Sequence, residues 1–307
     1  MYKIGVDLGG TNIACGIVDQ SGKLIYKDSS KTPRGVEPIV IINEIAEICK
    51  KTIKVNQLDN TKISSIGIGI PGIVNNKTGI VKYAPNIDFK NVDLRSIFSK
   101  LIDIPVNMEN DANAAALGES LQTHLSDYEN VVFVTLGTGI GVGVIIEKNL
   151  LKGSIESGHI TIDPSGPLCG CGNRGCFESF CSATALINFA KESVENNKDT
   201  KILELVQDDV NRIEAKTIFD AFDMRDTLSS KILERYIKYL AIGINNLINS
   251  YPTDAVIIGG GISKQGDNLI KPLTLELEKI ALGGVLSAKI FTAKLGNDAG
   301  IVGAANL

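Results

Sequence analysis

VDLGGTNIACGIVD, residues 6–19, is the stretch whose reading decides the fold. A strand from Tyr2 to Leu8 ends in the turn Gly9-Gly10-Thr11-Asn12. Ile13 to Asp19 resumes as a second strand, and Ser21-Gly22 turns the chain into a third over Leu24 to Lys27. The glycine turn therefore joins strand to strand. A Walker A loop or a dinucleotide-binding fingerprint must open a helix, so the spacing here disfavours both. A tight turn of this composition still offers successive backbone N–H groups and a hydroxyl to phosphate oxygens. Asp7, ending the strand before it, can hold Mg²⁺ beside those phosphates.

Taken alone, Gly9 to Asn12 reads equally well as a plain hairpin turn. A second copy changes the balance. Val131 to Leu136 is another apolar strand, Gly137-Thr138-Gly139 another glycine and threonine turn, and Val142 to Ile146 another strand. The repeat is the trace of an internally duplicated, two-lobed nucleotide-binding protein of the α/β class. The lobes are expected at residues 1–118 and 119–307, with a hinge between them and the last helix packing back on the N-terminal lobe.

Between the copies lie a helix from Glu37 to Lys54, a strand from Ile63 to Ile70 ended by Pro71-Gly72, and a loop containing Tyr83-Ala84-Pro85-Asn86. A strand from Val106 to Met108 then delivers Glu109-Asn110-Asp111 to an alanine-rich helix, Ala112 to Leu121. One such residue is enough to cap a helix, and three polar groups in a row exceed that need. Further helices cover Ser182 to Glu195 and Thr227 to Asn249. The strand Ala255 to Ile258 ends in Gly259-Gly260-Gly261, where an adenine or ribose has room against the backbone; close chain packing accounts for these glycines equally well.

The segment from Glu156 to Glu178 holds three of the six cysteines and one of the two histidines. Cys169, Cys171, Cys176 and His159 make the Cys₃His set of a closed structural zinc site, with no position left for a catalytic water. Gly170, Gly172 and Gly175 let three sulfurs converge. Reduced, inert thiols or a disulfide between two of them are the alternatives. Clustered thiols in a chain without a secretory signal favour metal. Cys15, Cys49 and Cys181 each stand alone in apolar or helical surroundings and read as buried structural thiols.

Length and composition limit the function classes. With 307 residues of which 44% are hydrophobic, two cores can be filled. A net charge of −4 with scattered lysine and arginine gives no footprint for nucleic acid. Neither a signal sequence nor an apolar run of membrane-spanning length is present, so a cytoplasmic protein without a membrane partner is expected.

Together these motifs resemble those of the ROK family, the sugar kinases related to bacterial glucokinase. DLGGTN (residues 7–12) is similar to the first phosphate motif and LGTGIGVGV (136–144) to the second. ENDANAAALGE (109–119) resembles the catalytic motif, and ESGH with CGCGNRGCFE the sugar and zinc segment. The resemblance covers nearly the whole chain in the expected order. It implies the actin-like ATPase (ribonuclease H-like) fold, with duplicated βββαβα-type domains and a cleft between them. It implies an ATP-dependent hexose kinase acting on a sugar hydroxyl, most simply O6 of glucose, with ATP, Mg²⁺ and structural Zn²⁺. N-acetylmannosamine or N-acetylglucosamine are the alternative acceptors. Asp111 is then the catalytic base, and Asn110, Glu156, His159 and Glu178 bind sugar together with Gly72 and Asn86. Asp7, Gly9, Gly10, Thr11, Asn12, Gly137, Thr138 and Gly139 address the phosphates and metal, and Gly260 and Gly261 the adenosine. A homodimer or dimer of dimers is implied as well. The family also includes sugar-sensing transcriptional regulators, in which a helix-turn-helix precedes the first phosphate motif; here Asp7 comes almost at once, which disfavours that reading.

Overall fold

A computed structural model describes residues 1–153 and 155–307, apart from the Pro85 side chain. Isoleucine and valine populate β1 (Tyr2–Leu8), β2 (Asn12–Val18) and β4 (Ile63–Ile70), where branched side chains fit a pleated, buried surface. β3 (Leu24–Lys31) alternates between half-buried and exposed, as an edge strand does. With β8 (Val106–Asn110) they form one sheet in the order β3-β2-β1-β4-β8. β1, β2 and β3 are antiparallel neighbours, while β4 runs parallel to β1 and β8 parallel to β4. A parallel neighbour needs a crossover, and α1 (Pro38–Val55) supplies the first. It starts at Pro38, whose fixed φ and missing N–H suit a first helical turn, and buries Ile41, Ile42, Ile45 and Ile48.

The second crossover contains a small antiparallel sheet, β5 (Ile73–Asn75), β6 (Ile80–Ala84) and β7 (Phe89–Asp93), followed by α2 (Leu94–Phe98). Tyr83 and Ala84, expected in a loop, belong to β6. Their segment is short and mixed in polarity, so its strand character comes from pairing with β5 and β7 rather than from its own alternation. α3 (Asp111–Ser120) leaves the end of β8.

The second large sheet is built from β9 (Val131–Leu136), β10 (Ile140–Ile146), β11 (Asn149–Leu150), β12 (Ala255–Gly259) and β13 (Lys289–Thr292). Its order, β11-β10-β9-β12-β13, repeats the plan of the first: third, second, first, fourth, fifth strand. The internal duplication seen in the turns is thus a duplication of topology.

Two compact units emerge, one of Met1–Phe133, Gly143–Ile155 and Lys294–Leu307, the other of Val134–Val142 and Glu156–Ala293. Within the second, α4 (Phe177–Cys181), α5 (Ala183–Glu195), α6 (Lys201–Leu205) and α7 (Ala215–Asp223) precede the long α8 (Thr227–Ser250), against which α9 (Asp267–Ile280) packs. Within the first, α10 (Ala299–Ala305) is buried along its whole length against β1, β4 and α3. Backbone lies on backbone there. A Cβ on Gly5, Gly67 or Gly303 would fall 1.8 Å from Ile301 O, 1.7 Å from Ala304 O and 1.6 Å from Ala114 O. Fully buried Glu119 accepts the N–H groups of Lys294 (3.0 Å) and Leu295 (2.8 Å), which anchors the segment entering α10. No helix among the described residues is long and apolar enough to cross a membrane.

Candidate active site

In a parallel arrangement the carboxyl ends of β1, β4 and β8 share one sheet edge. Asp7 pairs with Gly69, Gly69 with Glu109 and Ile70 with Asn110. Asp7, Gly72, Asn110 and Asp111 are therefore neighbours. Asn110 caps α3, its Oδ1 accepting from the N–H groups of Ala112 (2.9 Å) and Asn113 (3.2 Å), while its Nδ2 donates to Gly72 O at 3.1 Å. Capping does use this residue, and the same side chain also ties the α3 start to the turn after β4. Asp111 is the first residue of α3, and its Oδ1 accepts from Ala112 N at 2.8 Å. Burial, and secondly the charge of Asp111, raise the Asp7 carboxyl from 3.8 to about 6. Two carboxylates held this close favour a cation between or beside them.

The first glycine turn has its carbonyls occupied from behind. Gly9 O accepts from Thr32 Oγ1 (2.6 Å), Gly10 O from Arg34 Nε (3.2 Å), Thr11 O from Thr32 N (2.9 Å) and Asn12 O from Gly9 N (2.9 Å). Arg34 Nη2 also donates to Thr11 Oγ1 at 2.9 Å, so the Thr11 hydroxyl keeps its own proton to donate elsewhere. Among the described residues none accepts from the N–H groups of Gly10 or Thr11. Asn86 stands beside the turn, its Cβ 3.2 Å from where a Cβ of Gly10 would be.

The second turn is held in the same sense by different groups. Gly137 O accepts from Ala183 N (2.8 Å), Thr138 O from Thr184 Oγ1 (2.8 Å) and Gly139 O from Gly137 N (3.0 Å). Glu178 Oε2 accepts from Ile140 N at 2.9 Å and occupies the space a side chain on Gly139 would need, 2.4 Å from that Cβ position. After β12, Gly260 has φ +81°, and Gly261 is exposed with open space at its Cα.

Glu178 also borders the cysteine cluster, its Oε1 lying 3.9 Å from Cys169 Sγ. The ligand atoms of His159, Cys169, Cys171 and Cys176 all fall within 4.8 Å of one another. His159 Nδ1 is 3.5 Å from Cys169 Sγ, and the Cys171 and Cys176 sulfurs are 3.6 Å apart. Tetrahedral zinc with its usual thiolate bonds requires sulfurs about 3.8 Å apart, so the set fits. Burial raises the Cys169 thiol and pushes Cys176 up to about 12, whereas the Asn173 N–H lowers Cys171. Short pairings, Thr161 with Cys176 and Leu168 with Arg174, close the knot, and Tyr239 of α8 donates to Asp163 Oδ2 at 3.1 Å. Glu156 is exposed, and its carbonyl accepts from His159 N. Cys15, Cys49 and Cys181 are buried as expected, but Cys15 and Cys49 do not stand alone, since β2 and α1 bring their sulfurs to 3.9 Å.

Thr32, Arg34 and Thr184 escaped the sequence reading because no local pattern marks them. The one available signal was that Thr32 and Arg34 flank Pro33 directly after β3, on the stretch that leads to α1.

The ROK family profile matches residues 3–307. The chain belongs to the ROK family. The glucokinase of Halalkalibacterium halodurans is 35% identical over 308 residues, 98% of this ROK protein and 93% of the relative. That of Thermotoga maritima is 36% identical over 312 residues, 99% and 96% of the two chains. The crystal structure of a ROK family glucokinase from Streptomyces griseus in complex with glucose and AMPPNP matches with a TM-score of 0.85 at 33% identity, covering all of this chain and 98% of that one. The actin-like ATPase fold expected from the motifs is the fold of this ROK protein.

Proposed function

We propose that this protein is an ATP-dependent hexose kinase that transfers the γ-phosphoryl group to O6 of glucose. The observation that carries the proposal is the pairing of Asp7 with Asp111 at the carboxyl edge of β1, β4 and β8, in a chain whose two glycine turns both have their carbonyls engaged by donors. Phosphoryl transfer is chiefly positioning and charge stabilisation. Asp111 takes the hydroxyl proton, Asp7 holds Mg²⁺, and Thr11, Asn12, Thr138 and Gly139 take the phosphates, with Arg34 keeping the first turn in place. Gly260 and Gly261 offer a flat wall to adenosine. Asn110, Glu156, His159 and Glu178, with Gly72 and Asn86, bind the sugar hydroxyls.

Zinc on His159, Cys169, Cys171 and Cys176 is structural in this reading. Bonding through Nδ1 fixes the His159 tautomer, and Nε2 keeps an N–H for a sugar oxygen. The support for glucose is the 35–36% identity to two glucokinases along nearly the whole chain. An ATP-coupled assay over a panel of hexoses and N-acetylhexosamines tests it. Glucose should give the highest kcat/KM; a higher value for N-acetylmannosamine or N-acetylglucosamine reassigns the substrate, and no turnover with any sugar rejects the kinase. Asp111→Asn should fold, bind glucose and lose about 10²–10⁴-fold in kcat. Near-normal turnover would remove Asp111 from the base role.

A further inference from the structure

A cavity of about 780 Å³ in the first unit belongs to neither glycine turn, and its size is that of a small-molecule site. Lys77, Lys82, Arg95, Lys148 and Lys152 line it. That makes five of 18 lining residues cationic, against 31 of 307 in the chain, while Glu109 is the one acidic side chain. In a protein of net charge −4, this concentration within a concavity focuses the field on an anion. Five further lining residues are asparagines, whose carboxamides both donate and accept and therefore suit hydroxyl groups.

Glu109 joins the cavity to the start of α3. It is only 2% exposed and accepts from Asn76 Nδ2 (2.8 Å), Asn113 Nδ2 (3.1 Å) and the backbone N–H of Asn110 (3.0 Å). Asn113 Nδ2 also reaches Gly153 O at 3.1 Å. Asn76 and Gly153 both line the cavity. A molecule that engages either one perturbs a buried network whose other end is Asn110, the cap of α3 and the neighbour of Asp111.

We propose that this cavity is a second ligand site, for a phosphorylated sugar, whose occupation alters turnover through Glu109 and Asn110. The phosphate meets the lysines and the sugar hydroxyls meet the asparagines. The effect on turnover rests on the hexose kinase reading; the binding does not.

Titration calorimetry with glucose 6-phosphate tests the site in the full-length protein, with saturating glucose and a non-hydrolysable ATP analogue present. One site per chain should remain. Its affinity should fall about tenfold in the charge-reversed variant K77E/K148E and severalfold in the neutral K77Q/K148Q, which covers the case in which the first does not fold. Glucose 6-phosphate should lower kcat of the unmodified enzyme at saturating substrates and leave kcat of the variants unchanged. Binding that vanishes once the other ligands are present, or that ignores both variants, overturns the site. Equal affinity for inorganic phosphate overturns the sugar assignment. Absence of hexose turnover would reject the kinase reading, and the titration would still decide the cavity.

Discussion

The two glycine turns meet one requirement with different chemistry. Under the proposed function each must turn its carbonyls away from an anion so that N–H groups dominate, because a backbone carbonyl facing a phosphate repels it. The turn at Gly9 to Asn12 achieves this through Thr32 and Arg34, two side chains on the segment just after β3, of which Arg34 is exposed. The turn at Gly137 to Gly139 relies on the start of α5 and on Glu178, which also borders the cysteine cluster. The first turn is therefore locally supported. The second depends on whatever holds α4, and the His159, Cys169, Cys171 and Cys176 cluster proposed to bind zinc borders Glu178 at the start of that helix.

Among changes at the turns, the largest effect should come from Glu178→Ala, which removes the acceptor of Ile140 N and a proposed sugar ligand together; kcat/KM for glucose should fall about 10²-fold or more. Glu178→Gln keeps an acceptor for Ile140 N, so it should restore KM for ATP while sugar affinity stays weak. Equal damage to ATP and glucose kinetics in both variants would break the link between Glu178 and the second turn.

Asp7→Asn tests the first unit and should move activity and stability in opposite directions. The folded chain holds the Asp7 proton more tightly than the unfolded one, so this contribution to stability is present below pH 3.8 and is lost as the pH rises through about 6. Above that, the apo protein carries a buried charge at a cost on the order of 1–3 kcal/mol. The variant should therefore be more stable than the unmodified protein at pH 7.5, with a flatter stability profile between pH 4 and 6 in denaturant titrations. Loss of the proposed Mg²⁺ ligand should reduce turnover about 10²-fold.

Chelation separates the two turns directly. With zinc bound as proposed, its removal should lower Tm by about 5 °C or more and weaken glucose binding, measured by calorimetry; an unchanged Tm and affinity would reject the zinc assignment. The same treatment of Arg34→Ala should add a constant decrement, because the bonds that hold the first turn come from Thr32 and Arg34. The smallest effect belongs to Arg34→Ala itself: KM for ATP should rise about tenfold, an energy of about 1.4 kcal/mol, with Tm nearly unchanged since the side chain is exposed. Arg34→Lys keeps the charge but cannot bridge Gly10 O and Thr11 Oγ1 with a fork, and should recover only part of this loss.

Much of the architecture was legible in local pattern. Isoleucine-rich and valine-rich runs marked β4 and β9 at their observed bounds, Ile63–Ile70 and Val131–Leu136, because a strand buried on both faces is chiefly apolar; Ser64 and Ser65, the exceptions in β4, are only half-buried. The Cys₃His set was legible because metal ligation requires particular residue types, and their convergence within 4.8 Å follows from a short loop. The sheet of β5, β6 and β7 was not, since three short strands of mixed polarity acquire their identity only by pairing. Asn110 shows an intermediate case: its place at a helix start was readable, but its hydrogen bond to Gly72 O joins residues 38 positions apart.

The sequence by itself determined the duplicated strand–turn–strand plan, the acidic pair Asp7 and Asp111 at element ends, and the members of the Cys₃His cluster, all of which depend on residue type and short spacing. The tertiary structure alone decided that Thr32 and Arg34 hold one turn and Glu178 and Thr184 the other, that α10 lies backbone to backbone on β1 and β4, and that five cations surround one cavity. The physical reason is the range of the forces involved. Propensity and hydrophobic period act over a few residues, whereas hydrogen-bond partners and electric fields are set by whichever distant segments the fold brings within a few ångströms.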